Sequence, residues 1–242
     1  MQSTPYDEIA ALYDAWSRGV NEDVPFYVEE ARQTGGPVVE LGVGTGRIAV
    51  PIAAAGIEVI GVDSSAAMLA VCRARAEAAG VGDRLDLRLG DLRDPSAEGP
   101  VPLVICPFRS YLHLRTDSDR RRAFTAAWNL LVPGGKLVFD VFTPAPDDIA
   151  ETHGRWLERE PGIFERAEWD TGARTLRLTV KGKAAEATMS LSWLSPVEWR
   201  MLLEESGFEV EECYGWFDRT PFRGGEDSIW LARRPIRLGL HR

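Results

Sequence analysis

The chain has 242 residues, a formal net charge of −9, 45% hydrophobic and 27% charged residues. That length suits one α/β domain with an insertion, and the composition is ordinary for a globular chain. The acidic balance argues against a nucleic-acid partner, which needs a basic face, and no stretch reaches the ~20 apolar residues of a membrane-spanning helix.

The first predicted element is a helix. Tyr6, Ile9, Ala10, Tyr13 and Trp16 recur at helical spacing and give it one apolar face. It either docks on a sheet edge or covers a site. No basic, then apolar leader precedes it, so the expected location is the cytoplasm. Next comes a buried strand over 38–42, Val38-Val39-Glu40-Leu41, running into Gly42, Gly44 and Gly46. A helix is expected over 46–55. A second strand, 58–63, ends in Asp63, and Ser64-Ser65 caps a helix over 65–79.

Strands follow at 85–89, 103–106 and 136–142, with a helix over 118–131 capped by Asp117 or Ser118. Such alternation implies a parallel sheet with helices on both faces. From 155 to 193 the pattern becomes short apolar/polar alternation, with turns at Asp170-Thr171-Gly172 and Lys181-Gly182-Lys183. That reads as antiparallel strands with one buried face. Ser195-Pro196-Val197-Glu198 opens a helix with a capping box, Gly207 ends it, and strands at 208–214 and 228–233 close the fold. Cys72, Cys106 and Cys213 are odd in number and form no CxxC pair, so neither a disulfide framework nor a metal site is expected.

The glycine turn and Asp63 belong together. Strand, glycine-rich turn and helix bring backbone close to a ligand, and the next strand delivers a carboxylate to ribose hydroxyls. A dinucleotide site wants a glycine at the sixth place counted from Gly42; that place is Arg47. The acidic-x-Gly-x-Gly-x-Gly pattern from Glu40 instead resembles motif I of the class I S-adenosylmethionine-dependent methyltransferases. The resemblance extends over about 6–234. It implies a Rossmann-like, seven-stranded, mostly parallel sheet whose last strand runs antiparallel, with a small antiparallel β insert like the lid of small-molecule members. The Tyr6-Asp7…Ala10…Tyr13-Asp14 pattern is similar to their N-terminal cover. The implied division is a cover over 1–34, a core over 35–145 and 195–234, and a lid over 146–194.

The resemblance also implies roles. Gly42, Gly44 and Gly46 admit the methionine part and ribose of S-adenosylmethionine. Glu40 lies beneath, by the methionine amino group, or else caps the helix. Asp63, followed by Ser64, takes the ribose hydroxyls. Met68 packs on adenine or in the core. Asp91 and Leu92 meet adenine, unless Asp91 caps a turn. The segment from Cys106 through Phe108 to Leu114 corresponds to motif IV, facing the methyl group. Pro102-Leu103 stands where members often carry aspartate, and the Asn/Asp-Pro-Pro-Tyr motif of amide and base methylation is absent.

Three residues are candidates for catalysis. Tyr13 is expected nearest the sulfonium. Arg109 either clamps an acceptor carboxylate or phosphate or pairs with Asp140 or Asp147. His113 either accepts a proton or bonds a loop carbonyl. Trp156, Trp169, Trp193, Trp216 and Phe217 are expected to pack in the core or line the lid. The expected activity is methyl transfer to nitrogen or oxygen of a small-molecule acceptor, carbon being the lesser choice. A nicotinamide-dependent oxidoreductase, opposed by Arg47, and a non-catalytic cofactor-binding paralogue or regulator are the alternatives. Pairing of insert strands across a homodimer is open.

Overall fold

The computed structural model describes residues 3–18 and 21–236; Met1, Gln2, Gly19 and Val20 of the expected cover lie outside the described residues. The chain opens with α1 (Pro5–Trp16) and α2 (Asp23–Thr34), followed by β1 (Val38–Leu41), α3 (Ala49–Ala54), β2 (Val59–Asp63), α4 (Ala66–Ala78) and β3 (Leu85–Leu89). Then come β4 (Val101–Cys106), α5 (Asp117–Leu130), β5 (Leu131–Phe142) and α6 (Pro146–Thr152). The insert strands are β6 (Trp156–Glu160), β7 (Ile163–Asp170), β8 (Thr175–Lys181) and β9 (Glu186–Ser192). The chain returns through α7 (Pro196–Glu205), β10 (Glu209–Tyr214) and β11 (Asp227–Arg233).

Seven strands form one sheet in the order β10-β11-β5-β4-β1-β2-β3. β1 pairs in parallel with both β2 and β4, and β11 runs antiparallel to β5 and β10. All four residues of β1 are buried, as expected of a central parallel strand covered on both faces. One face packs Val39, Leu41, Val104, Tyr111, Phe124, Phe139 and Trp199. The other packs Val38, Ile48, Ile52, Leu103, Ile105 and Val138 against Phe26 and Tyr27 of α2. Strand order reverses between β1 and β4, and the crevice outside the strand ends at that reversal is where such sheets receive ligands.

The insert is a four-stranded antiparallel sheet, β6-β7-β8-β9. Ala167, Leu178 and Met189, on three adjacent strands, are buried in the same core as Phe142 and Trp193. The alternation seen in the sequence thus seals one face of the insert onto the main sheet.

Several boundaries differ from the sequence expectations. Residues 46–48 remain in the glycine turn, and α3 begins at Ala49. Thr116, not Asp117 or Ser118, caps α5, its hydroxyl accepting the Asp119 N–H at 3.1 Å. β5 starts at Leu131, where Leu131 pairs with Val101 ahead of a register shift. The short α6 was not anticipated.

Candidate active site

The site begins with a bend. The N–H groups of Gly42 and Val43 both donate to the Val62 carbonyl, at 2.8 and 2.9 Å, and fold the end of β1 over β2. Gly42 has φ +75°, and a Cβ there would lie 2.7 Å from Ser110 Oγ. Only glycine meets both demands. Gly46 is constrained from elsewhere: its Cβ would lie 2.6 Å from Cys72 Sγ, so its role is to let α4 approach the turn.

Asp63 ends β2 and joins the two motifs. One carboxylate oxygen accepts the Gly44 N–H at 2.9 Å and the other the Ser65 N–H at 2.8 Å. Burial raises its pKa, against the opposing pull of those N–H groups. Ser65 in turn caps α4, accepting the Met68 N–H at 3.1 Å. A cavity of about 520 Å³ opens above these strand ends. Tyr13, Gly42, Gly44, Asp63, Ser64, Met68, Asp91, Leu92 and Phe108 line it, together with Ser110, His113 and Thr188–Ser190 of β9.

Three of the residues assigned to the cofactor from the sequence do not line that cavity. Gly46 faces Cys72. Cys106 is completely buried, and burial raises the pKa of its thiol. Glu40 lies beneath the turn with 2% exposure, and its Oε2 has no hydrogen-bond partner. Burial holds the Glu40 carboxyl well above the usual carboxylate range. Asp91 does line the cavity, but Arg93 grips its carboxylate at 2.7 and 2.8 Å and keeps its pKa low.

α1 closes the cavity. Asp7 fastens it: Oδ1 accepts the Ser65 hydroxyl at 2.6 Å and the Ala67 N–H at 3.2 Å, and Oδ2 accepts the Thr4 N–H at 2.7 Å. Tyr6 stands edge-on to Tyr13, with ring centroids 5.8 Å apart, and its hydroxyl lies 2.8 Å from His113 Nε2. Burial lowers the His113 pKa to about 4 and raises that of Tyr6. Both groups are therefore neutral, a phenol and an uncharged imidazole sharing one hydrogen bond. The partner of His113 is thus Tyr6, not a loop carbonyl.

Phe108 and Arg109 both have positive φ, 56° and 65°, a costly conformation outside glycine. Asp140 at the end of β5 holds it. Its oxygens accept the Phe108 N–H at 2.8 Å and the Arg109 N–H at 3.0 Å, and Tyr27 donates to it at 2.6 Å. Burial pushes Asp140 up to about 6. The Arg109 guanidinium pairs with neither Asp140 nor Asp147. It meets Asp227 at 2.8 Å and lies 4.7 Å from the Phe142 ring centroid.

A second cavity, of about 470 Å³, adjoins the first under the insert. Tyr6, Tyr13, Phe108, His113 and Met189 line both. Its other walls include Trp16, Arg109, Phe142, Asp148, Thr152, Arg159, Glu165 and Trp169. Of the five aromatics expected there, Trp169 alone lines it. Trp193 packs behind Trp169 at 5.6 Å, Trp156 is 45% exposed, and Trp216 and Phe217 pack together at 5.3 Å with Phe217 against Phe26 of α2. A wider groove of about 680 Å³ runs along α5, away from the strand ends, beside the ion-paired Arg93 and Arg121.

Sequence reasoning missed Tyr6 as a wall, Ser110, the β9 segment Thr188–Ser190, and the fastening role of Asp7. The inward alternation of Met189 was the available signal for β9. Among the described residues, no group of three or more His, Cys, Asp or Glu side chains is placed to hold a metal, and no helix is long and apolar enough to cross a membrane.

Residues 38–135 match the methyltransferase domain family. A putative methyltransferase of Geobacillus sp. (strain WCH70) is 34% identical over 139 residues, 56% of this chain and 54% of that protein. The chain spans about half the length of the first curated relatives it matches. Among solved structures, the CcbJ methyltransferase from Streptomyces caelestis superposes with a TM-score of 0.78 at 27% identity, covering 90% of this chain and 97% of that one. CalS10, an amino pentose methyltransferase from Micromonospora echinaspora solved with S-adenosylmethionine bound, superposes at 0.63 with 23% identity over 97% and 98% of the two chains.

Proposed function

We propose that this chain, a class I S-adenosylmethionine-dependent methyltransferase by its domain and fold, methylates nitrogen or oxygen of a small-molecule acceptor held in the cavity beneath the insert. The observation that carries the reading is the meeting of two cavities at Tyr13 and His113, one of them built on Asp63 and the glycine turn.

The residues fit S-adenosylmethionine. The first cavity is of ligand size and has a half-buried carboxylate, Asp63, on its wall. Glu40, beneath the turn, has a buried side-chain oxygen that lacks a partner, and such an atom calls for a donor, which the methionine ammonium would supply. Asp63 would accept the ribose hydroxyls, and Met68, Asp91 and Leu92, on the same cavity wall, would receive the adenine. When bound, the cofactor supplies a methyl group on positively charged sulfur. The chain's task is to align the acceptor and exclude water. Tyr13 and Phe108, which line both cavities, form the passage between them, and His113 stays neutral there, bonded to the Tyr6 hydroxyl.

In this reading α1 and α2 are the cover, the seven-stranded sheet and its helices the core, and 146–194 the lid. The three cysteines are free thiols, which suits a reducing cytoplasm. A homodimer through the open edge of β6, beside the exposed Trp156, belongs to the same reading, and sedimentation tests it.

Calorimetry with S-adenosylhomocysteine, with NADH as control, tests the cofactor. Micromolar affinity for the first alone is expected. Binding of NADH alone would overturn the reading.

A further inference from the structure

Resting on the methyltransferase reading, we propose that the acceptor is a small molecule bearing a basic aliphatic amine, and that Asp148 of α6 is the side chain that selects it. The argument is a charge census of the second cavity.

Five Asp, Glu and Arg side chains line it, Arg109, Asp148, Arg159, Glu165 and Glu226, beside Tyr6, Tyr13 and His113, which burial keeps neutral. Both cations are neutralised. Arg109 pairs with Asp227 at 2.8 Å, and Arg159 with Glu165 at 2.7 Å. The other Glu165 oxygen accepts the Trp16 indole N–H at 2.8 Å, and Glu226 accepts the Ala145 N–H at 3.0 Å. Asp148 is the exception: its carboxylate has no hydrogen bond or ion pair among the described residues. An acceptor carboxylate or phosphate entering this cavity meets no cation without a carboxylate of its own. An ammonium meets two carboxylates without a cation, Asp148 and Glu226, and of these only Asp148 is free of a backbone N–H donor as well.

The surroundings favour the same charge. Asp148 and Thr152 stand four residues apart on one helical face. The Thr152 hydroxyl donates to the Asp148 carbonyl at 2.7 Å and accepts the Trp169 indole N–H at 2.8 Å. Trp169 is thereby fixed as a wall, edge-on to Phe142 at 6.2 Å. Across the cavity, Tyr13 and Trp16 stand 5.6 Å apart. Aromatic faces around a carboxylate stabilise an organic cation and offer nothing to an anion. In the transfer itself, the nitrogen loses one proton to solvent, its lone pair forms the new N–C bond, and the electron pair of the breaking C–S bond returns to sulfur.

The test is saturation-transfer NMR on the whole protein preloaded with S-adenosylhomocysteine. The probes are benzylamine and cyclohexylmethylamine, with benzyl alcohol and benzoate as shape-matched controls. The amines are expected to bind at least tenfold more tightly than the controls. Asp148→Asn should erase that preference, and Asp148→Glu should retain part of it, both with S-adenosylhomocysteine affinity unchanged. Equal binding across the panel, no amine binding, or a preference that survives Asp148→Asn overturns the assignment with the cofactor reading intact. Failure of the preloading step overturns the cofactor reading itself, and this inference with it.

Discussion

Arg47 grips Asp23 through two hydrogen bonds of 2.6 Å, tying the glycine turn to α2. The Asp23 side chain is 1% exposed, and the guanidinium also lies 4.9 Å from the Phe108 ring centroid. The position where a dinucleotide fold needs glycine is here the anchor of a covering helix. Removing one partner of a buried ion pair costs about 3 kcal/mol or more. Asp23→Ala is therefore expected to lower unfolding stability by about that amount, as measured by urea denaturation. A loss below about 1 kcal/mol would mean that the pair behaves like a surface contact.

Asp63→Ala is expected to weaken S-adenosylhomocysteine binding more than tenfold, since hydrogen bonds from hydroxyls to a charged carboxylate contribute about 2 kcal/mol. Asp63 also holds the Gly44 and Ser65 N–H groups, so Asp63→Asn is the companion variant: it keeps one acceptor and isolates the charge. An unchanged dissociation constant in calorimetry would remove Asp63 from the site.

Asp7→Ala is expected to loosen α1 without unfolding the core. Burial works against the Asp7 carboxylate, but hydrogen bonds from Ser65, Thr4 and Ala67 outweigh it and hold its pKa at about 2. With the folded pKa depressed, this fastening is complete above the ordinary aspartate value and is lost as pH falls from about 4 to 2. Hydrogen exchange at pH 7 should be faster in α1 amides of the variant and unchanged in β1 and β4. Equal protection of α1 in both proteins refutes the fastening role.

His113 and Asp140 give opposed pH dependences. Buried His113 titrates near 4 and an unfolded histidine near 6.5, so the unfolded chain binds the extra proton between those values. Its contribution falls as pH drops through that window. Asp140, raised to about 6, retains a proton in the folded state, so its penalty at neutral pH is relieved as pH drops. His113→Gln removes the first effect alone. Relative to the parent chain, the variant is expected to gain about 2 kcal/mol at pH 5 compared with pH 8. A difference that does not move with pH would mean that the ring is solvated.

The parts legible in the sequence are those where one residue type satisfies a local demand. Gly42 must take a positive φ against Ser110, and β1, buried on both faces, is apolar except for Glu40, so the glycine turn announces itself. Insert strands alternate because one face is sealed on the core. What escaped is tertiary. Nothing local in Asp23-Val24-Pro25-Phe26 says that Asp23 will meet Arg47 and start a helix. The strand expected over 136–142 begins at Leu131, so that Pro133-Gly134-Gly135 lies within β5, where Gly134 takes φ +85° and donates to the Arg234 carbonyl at 2.7 Å. Of the two readings of Arg109, an acceptor clamp or an ion pair with Asp140 or Asp147, neither names Asp227, the partner it meets from 118 residues away.

One helix borders both cavities. α1 contributes Tyr6 and Tyr13 to each, rests on α4 on one side, and touches β9 of the insert on the other. A single helix thus walls both chambers, and a substitution that displaces it is felt by the contents of the two together.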